Sequence, residues 1–260
     1  MAFIQVRDMD SSDEYFVSAC SHINESEEMD TAAAKRLVWI KKMYSRGMRV
    51  KVARLGDDRV GFLYLMPIDI CPWGPIGRDL MVIPCLYVME KGQHKKAGQS
   101  LLKAAEAEAR LQGFKGMVVT AYYHDFWFMP AGFFEKFGFE VAASEKNTAL
   151  IWRVFDEKVK PPRFLKRKYK FKSVPGKVVV DLFHHTFCMT VCQEAERVRE
   201  VAAEFADKVI FNEYSADDPE ILRKYQTPRA IFINGKEISW GYEAPREGIR
   251  EAITEALKNV

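Results

Sequence analysis

The sequence predicts a mixed α/β (α+β) chain of two domains, and three observations carry that reading. Strand-like and helix-like patterns alternate throughout: residues 1–157 centre on a strand–turn–helix–strand unit, and 178–260 follow the order βαβα, then ββα. Between them, residues 158–177 hold nine Lys or Arg and no acid, whereas 1–157 carries a net charge of −1 and 178–260 of −5. A shift of that kind marks a domain boundary, here a basic linker. The length of 260 residues fits two domains.

Phe3 to Val6 reads as a strand. Asp30 and Thr31 are the expected cap of a helix to Arg46, with Ala34, Leu37, Val38, Lys41 and Tyr44 on one face and Gly47 as its stop. Strands Arg49–Arg54 and Val60–Met66 flank the turn Gly56-Asp57-Asp58-Arg59. Residues 67–79 hold Pro67, Pro72, Gly74, Pro75 and Gly77 and read as a long loop of the kind that lines sites. Leu80–Met89 is a buried strand, Gly92–Ser100 a polar turn, and a helix with Leu101, Leu102, Ala105 and Ala109 on one face ends at Gly113. Gly116–Tyr122 is a strand, Met129–Phe137 a short helix, and Val141–Val154 contains a last strand. The linker opens on Pro161-Pro162, which disfavours helix and favours an extended path. Beyond it follow strand Lys177–Phe183, helix Cys188–Phe205, strand Lys208–Tyr214 and helix Asp217–Tyr225. Thr227-Pro228 precedes strand Arg229–Asn234, Gly235-Lys236 turns into Glu237–Trp240, and Pro245 opens helix Arg246–Lys258.

Composition narrows the classes. Apolar residues at 48% and charged residues at 29% are those of a globular chain and exclude disorder and collagen-like structure. No apolar run approaches the ~18 residues of a membrane span. MAFIQVRDMD has acids where a signal peptide has an apolar stretch, so the expected compartment is the cytoplasm. The five cysteines, Cys20, Cys71, Cys85, Cys188 and Cys192, are too few and odd in number for a disulfide framework.

The chemistry concentrates in IPCLYVMEKGQHKKAGQSLLKAAEAEAR. A buried strand runs into Gln93-His94-Lys95-Lys96-Ala97-Gly98-Gln99-Ser100, and a helix starts at once. Such a turn aims successive backbone N–H groups at an anion, and His94, Lys95 and Lys96 add positive charge. A pyrophosphate suits it.

Gln93 to Gly98 resembles the Q/R-x-x-G-x-G/A signature with which the GNAT superfamily of acetyl-CoA-dependent N-acetyltransferases binds the pyrophosphate of coenzyme A. Lys96 stands where the signature has its middle glycine. Phe134-Glu135-Lys136-Phe137-Gly138-Phe139 is similar to a second family motif, Y-E-K-x-G-F. The resemblance covers roughly residues 1–155. It implies a mixed-sheet GNAT fold, acetyl-CoA as cofactor, the Leu86-Tyr87-Val88 backbone on the pantetheine arm and Gln93–Ser100 on the pyrophosphate. It also implies acetyl transfer to a small amine or amino-acid-like substrate.

Many members have at Phe134 a tyrosine that protonates the departing thiolate, a proton that a phenyl ring cannot give. The substitutes nearest in sequence are Tyr122, Tyr123 and His124 past a strand end, and Cys85 and Tyr87 on the adjacent strand. A histidine such as His124 suits a general base. Trp73, Tyr87, Tyr122, Tyr123, Phe126, Trp127 and Phe128 read either as an aromatic wall for an apolar or cationic amine or as core.

In the second domain Cys188-Met-Thr-Val-Cys192 follows a strand and opens a helix, whose N-terminus favours a thiolate at Cys188. The βαβα-ββα order with Thr227-Pro228 resembles the thioredoxin fold, in which a cis-proline faces the reactive cysteine. The family's C-x-x-C is here one residue longer. Three readings of Cys188 and Cys192 stand: structural or recognition, thiol redox, or, with His184 or His185, a soft metal. The two-domain order resembles a small family with a YoaP-like C-terminal domain. The linker has Phe164, Tyr169 and Phe171 where a nucleic-acid surface would have stacking platforms, but reads first as a basic strap docking onto acidic domain surfaces.

Overall fold

A computed structural model describes residues 3–124, 128–241 and 244–260. The chain divides into two compact units, one of residues 1–23 and 40–165, the other of residues 24–39 and 166–260. No described helix is long and apolar enough to cross a membrane.

The first unit holds β1 (Ile4–Asp8), α1 (Glu14–Ala19), the end of α2 (Glu27–Tyr44), β2 (Arg49–Leu55), β3 (Asp58–Pro67), β4 (Leu80–Val88), α3 (Ala97–Leu111), β5 (Gly116–Tyr122), α4 (Ala131–Glu135), β6 (Glu140–Glu145) and β7 (Thr148–Val154). Its seven strands lie in the order β1-β2-β3-β4-β5-β7-β6, and the sheet is mixed: β4 and β5 are parallel, every other pair antiparallel. Alternation along β3 sends Leu63 and Leu65 to one face, where they meet Leu101, Leu102, Ala105 and Ala109 of α3. Each such buried leucine contributes ~1.5–3 kcal/mol. Phe62 and Tyr64 take the other face, where Phe16 of α1 meets Phe62 edge-on at 5.5 Å and the Tyr64 hydroxyl donates to Val17 O at 2.5 Å.

The structure differs from the sequence reading in three places here. The segment before α2, read without an element, forms α1, introduced by a capping box in which the Asp10 carboxylate accepts from Ser12 N–H and Asp13 accepts from Asp10 N–H. α2 starts at Glu27 because Ser26 Oγ caps it by accepting from Met29 N–H; Asp30 and Thr31 lie inside the first turns. Its buried positions are Met29, Ala32, Ala33, Arg36, Trp39, Ile40 and Met43, a stripe rotated from the predicted one, and Val38 is 70% exposed. The last strand is a hairpin, β6 and β7, turning at Lys146-Asn147 with Lys146 at φ +53°.

The second unit holds β8 (Val178–His184), α5 (Met189–Glu204), β9 (Val209–Ser215), α6 (Pro219–Tyr225), β10 (Ala230–Ile233), β11 (Lys236–Ile238) and α7 (Arg246–Leu257). The sheet order is β11-β10-β8-β9, with β8 and β9 parallel and β10 antiparallel to both neighbours. Val178, Val180 and Leu182 face a core shared with α5 and α7; Phe183 and Phe232 look to the opposite face. The linker is not loose. Arg163 pairs with Ile76 in the first unit, and from Lys166 onward the chain lies on the second unit's aromatic face.

Residues 24–39 pack with the second unit, although the sequence places them in the first domain. Trp39 meets Phe187 at 5.9 Å, and Glu28 accepts two hydrogen bonds from Arg197 at 2.7 and 2.9 Å. Arg197, with Arg246 and the Gln193 amide beside it, pulls the Glu28 carboxyl down to about 2 against the opposing effect of burial. A depressed carboxyl stabilises the fold above its unfolded value of 4.5 and loses that contribution as pH falls from 4.5 towards 2. Arg197→Met is therefore expected to lower the melting temperature at neutral pH, with the gap to wild type closing across that window.

Candidate functional site

The parallel pairing of β4 and β5 is short. It covers Leu80–Val82 against Gly116–Val118 and stops, while β4 runs on to Val88 and β5 to Tyr122. Past that point the strands part. Pro84, without an N–H, sits where the ladder ends, and a register shift between Tyr64 and Met66 bends the other flank of β4. The Leu86 N–H on this free stretch reaches only Met129 Sδ, at 3.3 Å, a weak acceptor.

β4 leads through a 3-10 turn, Glu90–Gly92, to the start of α3. His94 at φ +57° and Lys96 at φ +66° are both left-handed. Lys96, in the place of the signature's middle glycine, keeps a backbone conformation that glycine adopts more cheaply. The first intrahelical bond runs from Ser100 N–H to Lys96 O, so the Ala97, Gly98 and Gln99 amides have no intrahelical acceptor, and no side chain of Lys96 caps them. Gly98 is required by a close approach: a Cβ there would lie 2.8 Å from Phe133 Cζ. The three amides open the helix beside the Lys95 and Lys96 cations, a turn whose free N–H groups and positive charge would suit an anion. Lys96→Gly is expected to raise stability by up to ~1 kcal/mol by relieving the left-handed residue. Titration with inorganic pyrophosphate should show several-fold weaker binding, because a cation has gone.

Of the predicted catalytic residues, the structure brings together Tyr122, Tyr123 and His124. They line an open recess of about 570 Å3 with Pro130, Ala131, Gly132 and Asn147. The Tyr122 and His124 rings stack at 5.2 Å, 4° from parallel. The Tyr123 hydroxyl donates to Glu135 Oε1 at 2.5 Å, and that carboxylate raises its pKa. Tyr123 therefore holds its proton at neutral pH. Backbone bonds fix the recess: Tyr122 N–H to Met129 O and Tyr123 N–H to Asn147 O.

Cys85 and Tyr87 stand on the other face of β4 from Leu86 and Val88, with Tyr87 5.6 Å from Phe62. Cys85 is buried, and burial raises the Tyr87 pKa. Phe134 is 0% exposed, edge-on to Phe133 at 5.1 Å and Phe139 at 5.8 Å. Phe126 and Trp127 lie outside the described residues. Sequence reasoning missed Asn147, Met129 and Glu135. The polar break Glu145-Lys146-Asn147-Thr148 is a hairpin signal that pointed to the first.

In the second unit Cys188 is the N-cap of α5, half-buried, with its Sγ 3.2 Å from Thr190 Oγ1. Cys192 lies beneath it, its thiol pushed up to about 12 by burial and donating to Thr186 O at 3.3 Å. Both are free thiols. His184 pairs with Glu213 at 2.8 Å and His185 is fully buried; among the described residues no three His, Cys, Asp or Glu side chains gather as a metal site. The one cis peptide bond among the described residues is Gly74–Pro75. Thr227–Pro228 is trans, contrary to the cis-proline that the thioredoxin resemblance implies at Pro228.

No family model matches the chain, and no curated protein does. Solved structures align with it. A putative acetyltransferase of the GNAT family from Desulfovibrio desulfuricans is 16% identical, with 58% of this chain and 99% of the other covered at a TM-score of 0.46. YncA, a putative acetyltransferase from Salmonella typhimurium with acetyl-CoA, is 18% identical over 61% and 97%, TM-score 0.45. PaiA N-acetyltransferase from Thermoplasma acidophilum in complex with coenzyme A is 19% identical over 58% and 98%, TM-score 0.42.

Proposed function

We propose that the first unit is an acetyl-CoA-dependent N-acetyltransferase of the GNAT type, acting on a small amine or amino-acid-like substrate. The observation that carries this is the parting of β4 from β5 directly before the anion-binding turn. One strand exposes backbone groups along a gap, and the helix that follows offers amides and cations at its end. That arrangement suits a ligand with an extended amide arm and a pyrophosphate.

The fit is set by this chain's own atoms. Ala97, Gly98 and Gln99 N–H groups with Lys95 and Lys96 would hold the pyrophosphate, and the Leu86 N–H can exchange a weak sulfur acceptor for an amide oxygen. Acetyl-CoA supplies, when bound, an acetyl thioester open to an amine nucleophile. His124, exposed at the recess, takes a proton from the substrate ammonium. Tyr123 keeps its hydroxyl proton and can donate it, in the part that a phenyl ring at Phe134 cannot play. The stacked Tyr122 and His124 rings present an aromatic wall to the acceptor.

Calorimetry with acetyl-CoA tests the reading: binding at sub-millimolar ligand supports it, and none overturns it. Turnover against a panel of amines then finds the acceptor class, and His124→Ala should lower turnover on it while leaving acetyl-CoA binding in place.

The buried phenyl of Phe134 favours a second reading. The first unit then holds acyl-CoA without ordinary transfer, and the second is a thioredoxin-like domain working through Cys188 and Cys192. The element order β8-α5-β9-α6-β10-β11-α7 supports that domain type. Acetyl turnover on any amine in the panel counts against this reading, as does unchanged thiol–disulfide exchange in a Cys188→Ser, Cys192→Ser protein.

A further inference from the structure

The segment from Lys166 to Lys172 alternates in what its side chains meet. Odd positions go down onto the second unit. Arg167 makes a two-pronged pair with Glu237 at 2.7 and 2.8 Å and lies over the Phe232 ring. Tyr169 stacks on Phe232 at 4.1 Å and donates its hydroxyl to the buried Asp181 carboxylate at 2.6 Å. Phe171 covers Gly235, where a Cβ would lie 2.6 Å from its ring. The backbone is pinned as well, Lys166 N–H to Gln226 Oε1 and Lys168 N–H to Tyr225 O, both 2.9 Å or shorter.

Even positions go the other way. Lys166, Lys168, Lys170 and Lys172 are all exposed, and among the described residues none forms an ion pair. An extended chain places i and i+2 ~6.5–7 Å apart, so four ammonium groups stand in a row of ~20 Å. No acid interrupts 158–177. Anchoring through the odd residues removes most of the ordering cost that a loose basic tail meets on binding.

We propose that this row of lysines binds the phosphate backbone of single-stranded nucleic acid. A linear polyanion with regularly spaced charges matches a linear, regularly spaced row of cations. The sugar–phosphate chain of a single strand has such a repeat and is flexible enough to follow it. Phe171, 38% exposed at the edge of the row, leaves ring surface on which a base can stack. Tyr169 is taken out of that role by its burial against Phe232 and Phe183. The sheet beneath is acidic overall, so attraction is confined to the strap at physiological salt, where charges beyond ~8 Å are screened.

The test is fluorescence anisotropy of a labelled oligo-uridylate with the full-length protein across a salt series. Four phosphate contacts predict that log K falls against log salt with a slope of about −3. Replacing Lys166, Lys168, Lys170 and Lys172 together by Gln should abolish binding, and replacing them by Arg should keep it. The lysines are exposed, so circular dichroism should be unchanged in both variants. Absence of binding at low salt, or equal binding by the Gln variant, overturns the proposal. Binding of vesicles rich in phosphatidylserine by the wild type, with no oligo-uridylate binding, overturns it in favour of a membrane surface.

Discussion

A Gly98→Val protein is expected to bind acetyl-CoA on the order of 100-fold more weakly than wild type, or not measurably, because displacement of a positioned group by ~1 Å has effects of that size. A Cβ at 98 would meet Phe133 Cζ at 2.8 Å and Cε2 at 3.2 Å. Either the Phe133 ring or the start of α3 must then shift, and a shift of α3 carries the Ala97, Gly98 and Gln99 amides off the anion. Calorimetry reads the affinity. A Gly98→Ala protein with Phe133→Ala makes the control: the second change removes the obstruction and should restore most of the binding lost in Gly98→Ala alone. Failure of that rescue, with the fold intact, would mean that the amides do not hold the ligand.

Tyr169→Ala is expected to carry the largest effect on stability. It removes a ring stacked at 4.1 Å on Phe232 and edge-on to Phe183 at 5.5 Å, and leaves Asp181, 3% exposed, short of a donor. Truncating a packed aromatic costs ~3–5 kcal/mol. Tyr169→Phe keeps the stack and removes only a bond to a charged acceptor, for ~1.5–3 kcal/mol. Denaturant unfolding ranks the two. Amide exchange localises the change: the Lys166 and Lys168 N–H groups, bonded to Gln226 and Tyr225, should exchange much faster in the Ala protein and little faster in the Phe protein. Equal protection in all three proteins would mean that Tyr169 does not anchor the strap.

The strands and long helices were legible where burial sets a clean period. β4 and β5 are near-continuous apolar runs, and α3 repeats Leu101, Leu102, Ala105 and Ala109 on one side. The strand–turn–helix geometry at Gln93–Ser100 was legible from its residues, because a polar turn before a helix start is local. What escaped depends on neighbours far along the chain. The buried stripe of α2 is set partly by Phe187 and Arg197, which no local pattern reveals. The two short helical turns of α1 offer too few repeats to read. The sequence singled out Tyr123 but not the Glu135 carboxylate it donates to, since a short helix twelve residues on must first fold back to it. The linker's charge was plain, yet its two-sided character follows from Phe232, Asp181 and Glu237 on the sheet below.

The chain reaches its second unit twice. Met29, Ala32, Ala33 and Trp39 are made early, and all are buried in the finished protein. Their partners begin at Lys166. As the polypeptide leaves the ribosome, the first unit can close its sheet through Leu165 while that early half-helix still lacks the surface it covers. Each protein molecule thus carries an unsatisfied apolar stripe for the time needed to synthesise everything between. The second unit can complete itself only by loop closure around the whole of the first.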